Sequence, residues 1–445
     1  MKVSVIGAGY VGLVSAVCLA EKSHIVVCVD IDEKKMEKIR QGTPPIFEAG
    51  LESLLRKNIQ KNLQATTDLD SAVRETDITL IAVGTPFDGS EIDLRFVKEV
   101  SGQIGRTLRD KNGYHVVVVK STVVPGTTDN VVTPILERTS NKRLGSDLGV
   151  GMNPEFLTEG QAVKDFMFPD RIVIGGSDDK TRDSLEELYA GFDGVPKVRT
   201  NNKTAEMIKY TSNAMLANAI SFSNEIANLC SALGDIDAAD VMKGIHLSSY
   251  LKPTASNGER VQAPLSSFYE AGCGFGGSCL PKDVNALIAH GERAGRPMRL
   301  LREVININQQ QPLLLLRKLE KRFSSLRDVR VSVLGLAFKA DTDDMRESPA
   351  IPVINGLIKS GAIVTAYDPV AIPEARKIFA DRSVSFCQSL EDAVKEADAI
   401  IIVTRWDEFS QLPSILKNLR KDPLVLDGRR MLDKTTIANY DGIGI

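Results

Sequence analysis

The sequence has no long apolar run and few cysteines, and each absence excludes a class of protein. No stretch reaches the roughly 18 apolar residues that suggest a membrane-spanning helix. The first residues, "MKVSVIGAG", begin a strand and lack the apolar segment and cleavage site of a signal peptide. Six cysteines scattered over 445 residues do not resemble the framework of a disulfide-stapled secreted domain. We therefore expect a cytoplasmic protein.

The sequence also lacks a dominant charge and a cluster of metal ligands. Its 55 basic and 58 acidic residues are interspersed and give a net charge of −3, so we expect neither a nucleic-acid partner nor a membrane surface. Cys273 and Cys279 form a single pair, with no second pair and no clustered histidines. This spacing argues against a zinc site, and we expect no metal.

What the sequence does contain is an alternation of short strands and helices. "KVSVI" (2–6), a glycine turn, a helical segment and "IVVCVDID" (25–32) form one βαβ unit, and "ITLIAVGTP" and "HVVVVKSTV" continue the pattern. Such alternation predicts a doubly wound parallel sheet. Residues 204–234 instead show helical spacing throughout, from a candidate N-cap at Thr204 to a stop at Gly234, and predict one long helix.

After residue 330 the opening pattern recurs. "RVSVLGLAFKADTDD" and the residues up to "AYDP" repeat the order strand, loop, helix, strand and terminal aspartate. We predict an α/β fold with two doubly wound, Rossmann-like parallel-sheet domains, joined by a long central helix and a helical middle domain. The predicted domains are 1–200, which binds a dinucleotide, 201–325, with a cysteine loop at 273–283, and 326–445.

The first loop carries a dinucleotide fingerprint. Gly7, Gly9 and Gly12 follow a strand and open a helix, where they permit a tight turn, close approach of a pyrophosphate and close helix–strand packing. Asp30 ends the second strand near the expected spacing of about 20 residues, and an acid there favours NAD over NADP. FAD shares this fingerprint, so the motif alone leaves a flavoprotein open.

Cys279 is the best candidate for a nucleophile. It follows Gly276, Gly277 and Ser278, which leave a sulfur accessible, and a cation at Lys282 favours the thiolate. The alternative is a small residue in a glycine turn. In an NAD enzyme, a thiolate that adds to an aldehyde allows a second hydride transfer and leaves a thioester for water to cleave. This chemistry ends at a carboxylate. Cys18, Cys28 and Cys230 lie in apolar patterns and are predicted to be core.

A series of motifs runs along the whole chain. They are "GAGYVGL" (7–13), "VGTP" (83–86), "KSTVVPGTT" (120–128), "NPEFLTEG" (153–160), "PDRIVIG" (169–175), "IKYTSNA" (208–214), "GFGGSCLPKD" (274–283), "GLAFKADTDDMRESP" (335–349) and "DGR" (427–429). In this order they resemble the UDP-glucose/GDP-mannose 6-dehydrogenase family. The resemblance implies oxidation of C6 of a nucleotide sugar to a carboxylate, with reduction of two NAD in one active site.

The resemblance also implies roles for individual residues. Cys279 is the implied nucleophile, Lys209 and Asn213 stabilise an oxyanion from one helix face, Glu155 and Thr122 order a water, and Asp283 assists thioester hydrolysis. The implied cofactor contacts are Gly7, Gly9, Tyr10, Val11, Gly12, Asp30, Lys35, Thr85, Thr122, Glu159, Lys282 and Arg346. The implied substrate contacts are Glu155, Phe156, Leu157, Lys209, Asn213, Phe275, Gly276, Lys339 and Arg429, with Arg260 as a further candidate.

The motifs favour UDP-glucose as the sugar nucleotide, with GDP-mannose as the alternative. "PDRIVIG" and "ISFSNEIANLC" resemble the UDP-glucose branch, whereas the leucine of "GSCLPKD" is frequent in the GDP-mannose branch. Three features depart from the family pattern. "EAGL" replaces "EPGL" at 48–51, Cys273 adds a possible second oxidisable thiol, and Ala263 occupies the place of a sugar-contacting arginine, for which Arg260 is the nearest replacement.

Two other classes of protein remain as rivals at this stage. A hydroxy-acid dehydrogenase of the same architecture would transfer one hydride and need no thiol. A non-catalytic nucleotide sensor would be expected to lack the set Cys279, Lys209 and Asn213, which this chain retains. The family resemblance and the long helix further predict self-association to a homodimer or larger assembly.

Overall fold

The computed structural model describes residues 1–380 and 383–445. The chain divides into two compact units, Met1–Ser212 and Asn213–Ile445, with the boundary inside a long helix. Each unit contains an α/β sheet, and the predicted fold class is confirmed. The division into three domains at residues 200 and 325 stays a prediction.

The first unit is built on an eight-stranded sheet. Its strands are β1 (Lys2–Ile6), β2 (Ile25–Val29), β3 (Leu63–Thr66), β4 (Ile78–Ile81), β5 (His115–Val119), β6 (Leu148–Met152), β7 (Ile172–Gly176) and β8 (Lys197–Thr200). Their order is β3-β2-β1-β4-β5-β6-β7-β8, and neighbours are parallel except for β6 and β7. The chain leaves β6 and returns antiparallel in β7, so residues 153–171 lie at the carboxyl edge of the first six strands. Ligands bind at this edge in open α/β sheets.

Helices cover both faces of this sheet, which explains why its strands are apolar on both sides. They are α1 (Tyr10–Glu21), α2 (Glu33–Arg40), α3 (Leu51–Asn58), α4 (Leu69–Glu75), α5 (Arg95–Leu108), a π-helical turn (Thr128–Val132), α6 (Thr133–Ser140), α7 (Ala162–Met167) and α8 (Asp179–Leu188). Val26 and Cys28 of β2 pack into one core, whereas Val27 and Val29 pack into the other. The alternation along one strand therefore builds two hydrophobic layers.

The helix α9 (Asn202–Leu233) matches the long helix predicted at 204–234. It begins two residues earlier because Asn201, and not Thr204, supplies the capping oxygen: the Asn201 side chain accepts the N–H of Thr204 at 2.8 Å. Gly234 ends the helix as predicted, with a φ of +72° and its N–H donated to the carbonyl of Cys230.

The second unit has a six-stranded sheet in which all neighbours are parallel. Its strands are β9 (Arg330–Leu334), β10 (Ile363–Tyr367), β11 (Val384–Phe386), β12 (Ala399–Ile402), β13 (Leu424–Asp427) and β14 (Tyr440–Gly442), in the order β11-β10-β9-β12-β13-β14. Its further helices are α10 (Ala238–His246), α11 (Leu280–Arg293), α12 (Arg299–Gln310), α13 (Leu313–Arg322), α14 (Ala350–Lys359), α15 (Ile372–Ile378), α16 (Leu390–Val394) and α17 (Leu412–Leu416), with 3₁₀ turns at Pro264–Phe268, Asp407–Gln411 and Lys434–Thr436. The predicted repeat of the first sheet is confirmed in this strand order.

Candidate active site

The glycine loop joins β1 to α1 at the carboxyl edge of the first sheet. The N–H of Gly7 donates to the carbonyl of Val29 at 2.7 Å. A Cβ on Gly12 would overlap the carbonyl of Gly7, whereas a Cβ on Gly9 would meet nothing within 4 Å. Tyr10 and Val11 form the first turn of α1, where backbone N–H groups have no helical partner. The loop is therefore closed toward the sheet and open at Gly9, which fits a bound pyrophosphate.

Asp30 lies at the end of β2, beside this loop. Its Oδ2 accepts the N–H of Ala8 at 2.8 Å and the ammonium of Lys35 at 3.0 Å, and its Oδ1 accepts the N–H of Asp32 at 3.1 Å. Burial raises the pKa of Asp30, but these hydrogen bonds outweigh it and hold the pKa below its ordinary value. Asp30 is thus ionised at neutral pH and can accept hydrogen bonds from hydroxyl groups. Lys35, which was also predicted as a cofactor contact, lies next to it.

Thr85 and Thr122 meet because they follow neighbouring strands. Thr85 follows β4 and Thr122 follows β5, and these two strands pair in the sheet. The Thr85 hydroxyl donates to the carbonyl of Thr122 at 2.7 Å, and the Ser121 hydroxyl donates to the carbonyl of Val83 at 2.7 Å. The structure therefore brings together two residues predicted separately for the cofactor side.

A buried glutamate missed by sequence analysis ties Tyr10 to the segment that carries Glu159. The Tyr10 hydroxyl donates to the Glu48 carboxylate, and the N–H of Gly160 lies 2.8 Å from both the Glu48 Oε2 and the Tyr10 oxygen. Glu48 is buried. The sequence offered no strong signal, because a single glutamate in a loop is usually solvated.

Glu155 and Lys209 form a buried ion pair in the first unit. Glu155 Oε1 lies 2.9 Å from Lys209 Nζ, and the two side chains are only 5% and 4% exposed. Glu155 Oε2 accepts the N–H of Leu157 at 2.6 Å. Burial raises the pKa of Glu155, but the Lys209 charge and hydrogen bond outweigh it and the net pKa is lowered. Glu155 is therefore ionised at neutral pH, and the ion pair holds both side chains in place.

The predicted substrate residues next to Glu155 line a cavity of about 150 Å³. Phe156 and Leu157 are half-buried there, and the Arg171 guanidinium lies 3.9 Å from the centroid of the Phe156 ring. The ring of Phe156 also lies 5.6 Å from the Lys209 ammonium. These cation–π contacts fix the ring in the cavity wall.

Lys120 is a buried lysine in the wall of this cavity, and sequence analysis gave it no role. Its ammonium donates to the side-chain oxygen of Asn153 at 2.9 Å and lies 3.5 Å from the Tyr189 hydroxyl. Burial lowers the pKa of Lys120 to about 8, although the Glu155 charge opposes part of this change. Its position inside "KSTVVPGTT" was the available signal.

In the second unit, Cys279 is part-exposed and directly precedes α11. A helix N-terminus favours negative charge, which suits a thiolate at this position. Asp283 lies in the first turn of α11 and is 1% exposed. Its Oδ2 accepts the side-chain amide of Asn213 at 2.6 Å, and its Oδ1 accepts the Lys282 ammonium at 2.5 Å. The structure therefore joins Asn213, Asp283 and Lys282 in one hydrogen-bonded group, and α9 carries Lys209 one helical turn before Asn213.

The cysteine loop is held by residues distant in sequence. Asn308, on α12, accepts the N–H of Phe275 at 2.7 Å and donates to its carbonyl at 2.9 Å. The N–H of Gly277 donates to the carbonyl of Arg346 at 2.9 Å. Gly277 has a φ of +81°, and a Cβ there would lie 2.8 Å from the Phe338 ring, while a Cβ on Gly276 would overlap the carbonyl of Glu347. The glycines thus let the loop pass close to the 335–349 segment.

The predicted contacts from the C-terminal sheet lie around the same loop. Arg429 donates from Nη1 to the carbonyl of Gly274 at 2.9 Å and from Nε to the carbonyl of Val403 at 2.6 Å. Arg346 pairs with Asp344 at 2.7 Å, and the Lys339 ammonium lies 6.0 Å from the Phe338 ring centroid. Arg429 therefore supports the loop directly.

Arg260 is exposed and makes two contacts within its own segment. Its guanidinium donates to the carbonyl of Leu247 at 2.6 Å and to that of Lys252 at 3.1 Å. These bonds close the loop from 247 to 260. A sugar contact from Arg260 stays a prediction and would require these bonds to be shared or broken.

The hypothesis of a second oxidisable thiol at Cys273 is wrong. Cys273 is fully buried, and its thiol lies 3.2 Å from the carbonyl of Gly428 in the core of the second unit. Burial raises the pKa of this thiol, which disfavours the reactive thiolate. Cys18, Cys28 and Cys230 are buried as predicted.

Among residues 1–380 and 383–445, no group of three His, Cys, Asp or Glu side chains is arranged to hold a metal ion. Over the same residues, no helix combines the length and apolarity needed to cross a membrane. The cytoplasmic location stays a prediction.

The glycine loop, Asp30 and the strand order define a dinucleotide-binding fold of the doubly wound class. The models of one protein family match three successive parts of the chain. Residues 1–193 match the NAD binding domain of the UDP-glucose/GDP-mannose dehydrogenase family, residues 203–310 its central domain and residues 332–434 its UDP binding domain. The chain belongs to the UDP-glucose/GDP-mannose dehydrogenase family, as the motifs indicated, and is an NAD-dependent nucleotide-sugar 6-dehydrogenase.

Individual relatives cover nearly the whole chain. The UDP-glucose 6-dehydrogenase AglM of Haloferax volcanii is 42% identical over all of both chains. A GDP-mannose 6-dehydrogenase of Pseudomonas syringae pv. tomato is 38% identical over 97% of this chain and 95% of its own. The structure of a UDP-glucose dehydrogenase from Pyrobaculum islandicum superposes with a TM-score of 0.90 at 37% identity, covering 99% of this chain and 97% of the other. The NAD-binding prediction is confirmed, and the two rival classes and the flavoprotein alternative are set aside.

Proposed function

We propose that this chain oxidises C6 of UDP-glucose to a carboxylate and produces UDP-glucuronate and two NADH. The observation that carries the chemistry is the group at the start of α11, where part-exposed Cys279 stands beside buried Asp283, itself bonded to Asn213 and Lys282. The choice of UDP-glucose is supported by a relative of that activity at 42% identity, against 38% for one that acts on GDP-mannose.

The pyrophosphate and one ribose of NAD are assigned to the first unit. The glycine loop with Tyr10 and Val11 receives the pyrophosphate, and Asp30 with Lys35 receives a ribose. Thr85, Glu159, Lys282 and Arg346 are the further proposed contacts. NAD, when bound, supplies the acceptor for each hydride.

The first oxidation converts the C6 alcohol to an aldehyde. The C6 hydroxyl gives its proton to a water held by Glu155 and the Thr122 hydroxyl, as a hydride leaves C6. The ammonium of Lys209 stabilises the negative charge that develops on the oxygen, and Asn213 donates to the same atom. The ion pair at 2.9 Å keeps Glu155, which holds the water, in register with Lys209, which stabilises the oxyanion.

The second oxidation proceeds through the thiol. The Cys279 thiolate adds to the aldehyde carbon, and the resulting thiohemiacetal oxyanion is stabilised by Lys209 and Asn213. Loss of a second hydride from C6 leaves a thioester. Water, assisted by Asp283, attacks the thioester, and the bond to sulfur breaks to release the carboxylate and the thiol. The sum is one sugar nucleotide, one water and two NAD+ converted to one uronate, two NADH and the protons released from the alcohol, the water and the acid.

A further group of residues is proposed to hold the sugar nucleotide. Phe156, Leu157, Phe275 and Gly276 are its proposed contacts. Lys339 and Arg429 contact the nucleotide, with Arg260 as a further candidate for the sugar. Because Arg429 also bonds the carbonyl of Gly274, nucleotide binding and the cysteine loop share one side chain.

The test is the number of NADH formed per sugar consumed, with limiting UDP-glucose or GDP-mannose. Wild type is expected to give two per UDP-glucose, and Cys279→Ser is expected to lose this turnover. Cys387→Ser is the matched control, since it removes a half-buried thiol that has no proposed role. Two NADH per GDP-mannose and none with UDP-glucose would overturn the substrate. One NADH per sugar, or an unaffected Cys279→Ser enzyme, would overturn the thioester route.

We further propose that the chain forms a homodimer through α9. Four apolar side chains of this helix, spaced close to whole numbers of turns, are 45–65% exposed: Met215, Phe222, Leu229 and Leu233. An apolar stripe of this kind is typical of a helix that packs against a second copy. Light scattering should give twice the chain mass for wild type, and Leu229→Glu should reduce it toward a monomer.

A further inference from the structure

Glu206 is a buried carboxylate that none of the roles above uses. It lies on α9, one turn before Lys209, and its side chain is fully buried. Its Oε2 accepts the N–H of Gly126 at 2.5 Å. Its Oε1 accepts both the N–H of Thr128 at 2.8 Å and the Thr128 hydroxyl at 2.7 Å. One carboxylate therefore binds three donors of a single turn.

That turn is the continuation of the segment that carries Thr122. The near end of the segment is fixed to the sheet by two hydrogen bonds. The Ser121 hydroxyl donates to the carbonyl of Val83, and the Thr85 hydroxyl donates to the carbonyl of Thr122. Its far end is followed by the π-helical turn that begins at Thr128. Glu206 holds this far end, so the Thr122 segment is clamped on both sides of the threonine.

The same turn of α9 also fixes the other proposed water-holding residue. Lys209, three residues after Glu206, pairs with Glu155 at 2.9 Å. We propose that Glu206 is a positioning residue, whose ionised carboxylate holds the Thr122 segment in register with Glu155 and Lys209 through its bonds to Gly126 and Thr128. This inference rests on the proposed role of Thr122.

An ionised carboxylate accepts from all three partners at once, because both of its oxygens accept. A glutamine places an N–H donor against a backbone N–H, and a protonated acid keeps all three partners only if the Thr128 hydroxyl turns to accept its proton. Displacement of a catalytic group by about 1 Å can cost about 100-fold in rate. Loss of the clamp therefore affects turnover more than substrate binding.

The charge state of Glu206 changes near neutral pH. Burial raises the pKa of Glu206 to about 7, with a smaller contribution from the Asp129 charge, while the Thr128 and Gly126 bonds lower it in part. Two charged groups face this site. Asp129 lies on the clamped segment and is bonded to Asn202, and the Lys203 side chain lies over Gly126. The clamp is complete above about pH 7 and loses an acceptor below it.

Three variants separate this role from a general loss of stability. Glu206→Gln removes the charge, and Thr128→Val removes one donor while keeping the side-chain shape. Thr133→Val is the matched control, because the Thr133 hydroxyl is also buried in this segment but donates to the carbonyl of Thr128 at 3.0 Å. We expect kcat to fall about 10–100-fold in Glu206→Gln and a few-fold in Thr128→Val, with KM values within about twofold. Thr133→Val should keep the wild-type kcat.

The pH profile gives a readout that a merely structural role would not move. Wild-type kcat should fall as pH decreases through about 7, and this limb should disappear in Glu206→Gln. In Thr128→Val it should shift to higher pH, because a lost hydrogen bond raises the carboxyl pKa. For stability the sign is opposite: a raised folded-state pKa adds stability at acid pH, which is lost as pH rises through about 7. Wild type should therefore lose melting temperature relative to Glu206→Gln between about pH 4.5 and 7, and the difference should level off above about pH 7.

Amide hydrogen exchange of residues 124–128 tests the clamp without an activity assay. At pH 8 we expect at least tenfold faster exchange in Glu206→Gln and no change in Thr133→Val. An active wild type, with Glu206→Gln and Thr128→Val matching Thr133→Val in kcat and pH profile, would overturn the inference and leave the proposed function intact. A wild type that reduces NAD with neither sugar nucleotide would overturn both.

Discussion

The two α/β regions share a strand order and a first loop but use them differently. The order β3-β2-β1-β4-β5-β6 in the first unit is repeated as β11-β10-β9-β12-β13-β14 in the second. In each, a glycine after the first strand donates to the end of the second strand, at 2.7 Å for Gly7 and 2.8 Å for Gly335. In each, the next N–H bonds an acid at that end, Asp30 or Asp368.

The difference lies in what else surrounds the acid. Asp30 accepts three donors and its side chain remains 12% exposed, with α1 beginning directly after the loop. Asp368 is 1% exposed and accepts five donors: the N–H groups of Leu336, Ala337, Val370 and Ala371 and the indole of Trp406. The corresponding helix of the second unit, α14, begins only at Ala350, well after the end of β9. In one copy the acid is proposed to bind a ligand, whereas in the other it holds a long loop.

The largest expected effect is on stability, at Asp368. Asp368→Ala leaves five buried donors without their acceptor, and we expect the free energy of unfolding to fall by about 3–5 kcal/mol. Denaturant titration measures this loss, and the matched change is Asp30→Ala, for which we expect about 1 kcal/mol. Equal losses at the two positions would remove the distinction between the regions.

At Asp30 the larger effect should be on the cofactor. Asp30→Ala removes the proposed ribose acceptor and should raise KM for NAD about tenfold or more. Asp32→Ala is the control, since it removes the cap of α2 but no proposed cofactor contact. The pKa of Asp30 is held below its ordinary value of about 4. KM for NAD in wild type should therefore stay level as pH falls, and rise only below about that value.

Trp406→Phe tests one donor of the saturated acid. It keeps an aromatic ring in the core and removes the indole N–H that donates to Asp368 at 3.1 Å. We expect a loss of about 1.5 kcal/mol in unfolding free energy and an unchanged KM for NAD. A tenfold change in that KM would mean that the second loop contributes to cofactor binding.

Lys35→Ala is the counterpart at Asp30 and should have the smallest effect. The Lys35 side chain is 29% exposed, so its ion pair is partly screened and should contribute less than about 1 kcal/mol to stability. KM for NAD should rise only a few-fold, and Lys34→Ala, at an exposed neighbour, should leave it unchanged. A loss of unfolding free energy as large as that of Trp406→Phe would contradict the difference between Asp30 and Asp368.

Local patterns in the sequence predict much of this architecture. Strand alternation, the glycine loop, Asp30 and the accessible position of Cys279 after a glycine run all follow from residues close together in the chain. The antiparallel direction of β7 does not, because an apolar strand reads the same in either direction. The hydrogen bond between Asn308 and Phe275 does not follow either, because neither residue stands out in the sequence and the two are 33 positions apart.

The same limit applies to the buried carboxylates. Glu206 reads as a polar residue on a helix, and nothing nearby in sequence reveals the donors at Gly126 and Thr128. Asp368 was predicted as the terminal aspartate of a repeated pattern, but its saturation depends on Trp406, from a distant loop. Long-range hydrogen bonds thus carry the information that a single sequence does not.

The glycines beside Cys279 have a consequence for genetic variation. Gly276 has no room for a side chain against the carbonyl of Glu347, and Gly277 combines a φ of +81° with contact to the Phe338 ring. Every amino-acid replacement at these two codons therefore strains the loop that presents the thiol. In a population or a saturation library, both positions should be as depleted of variants as Cys279, the proposed nucleophile, although neither takes part in bond formation through a side chain.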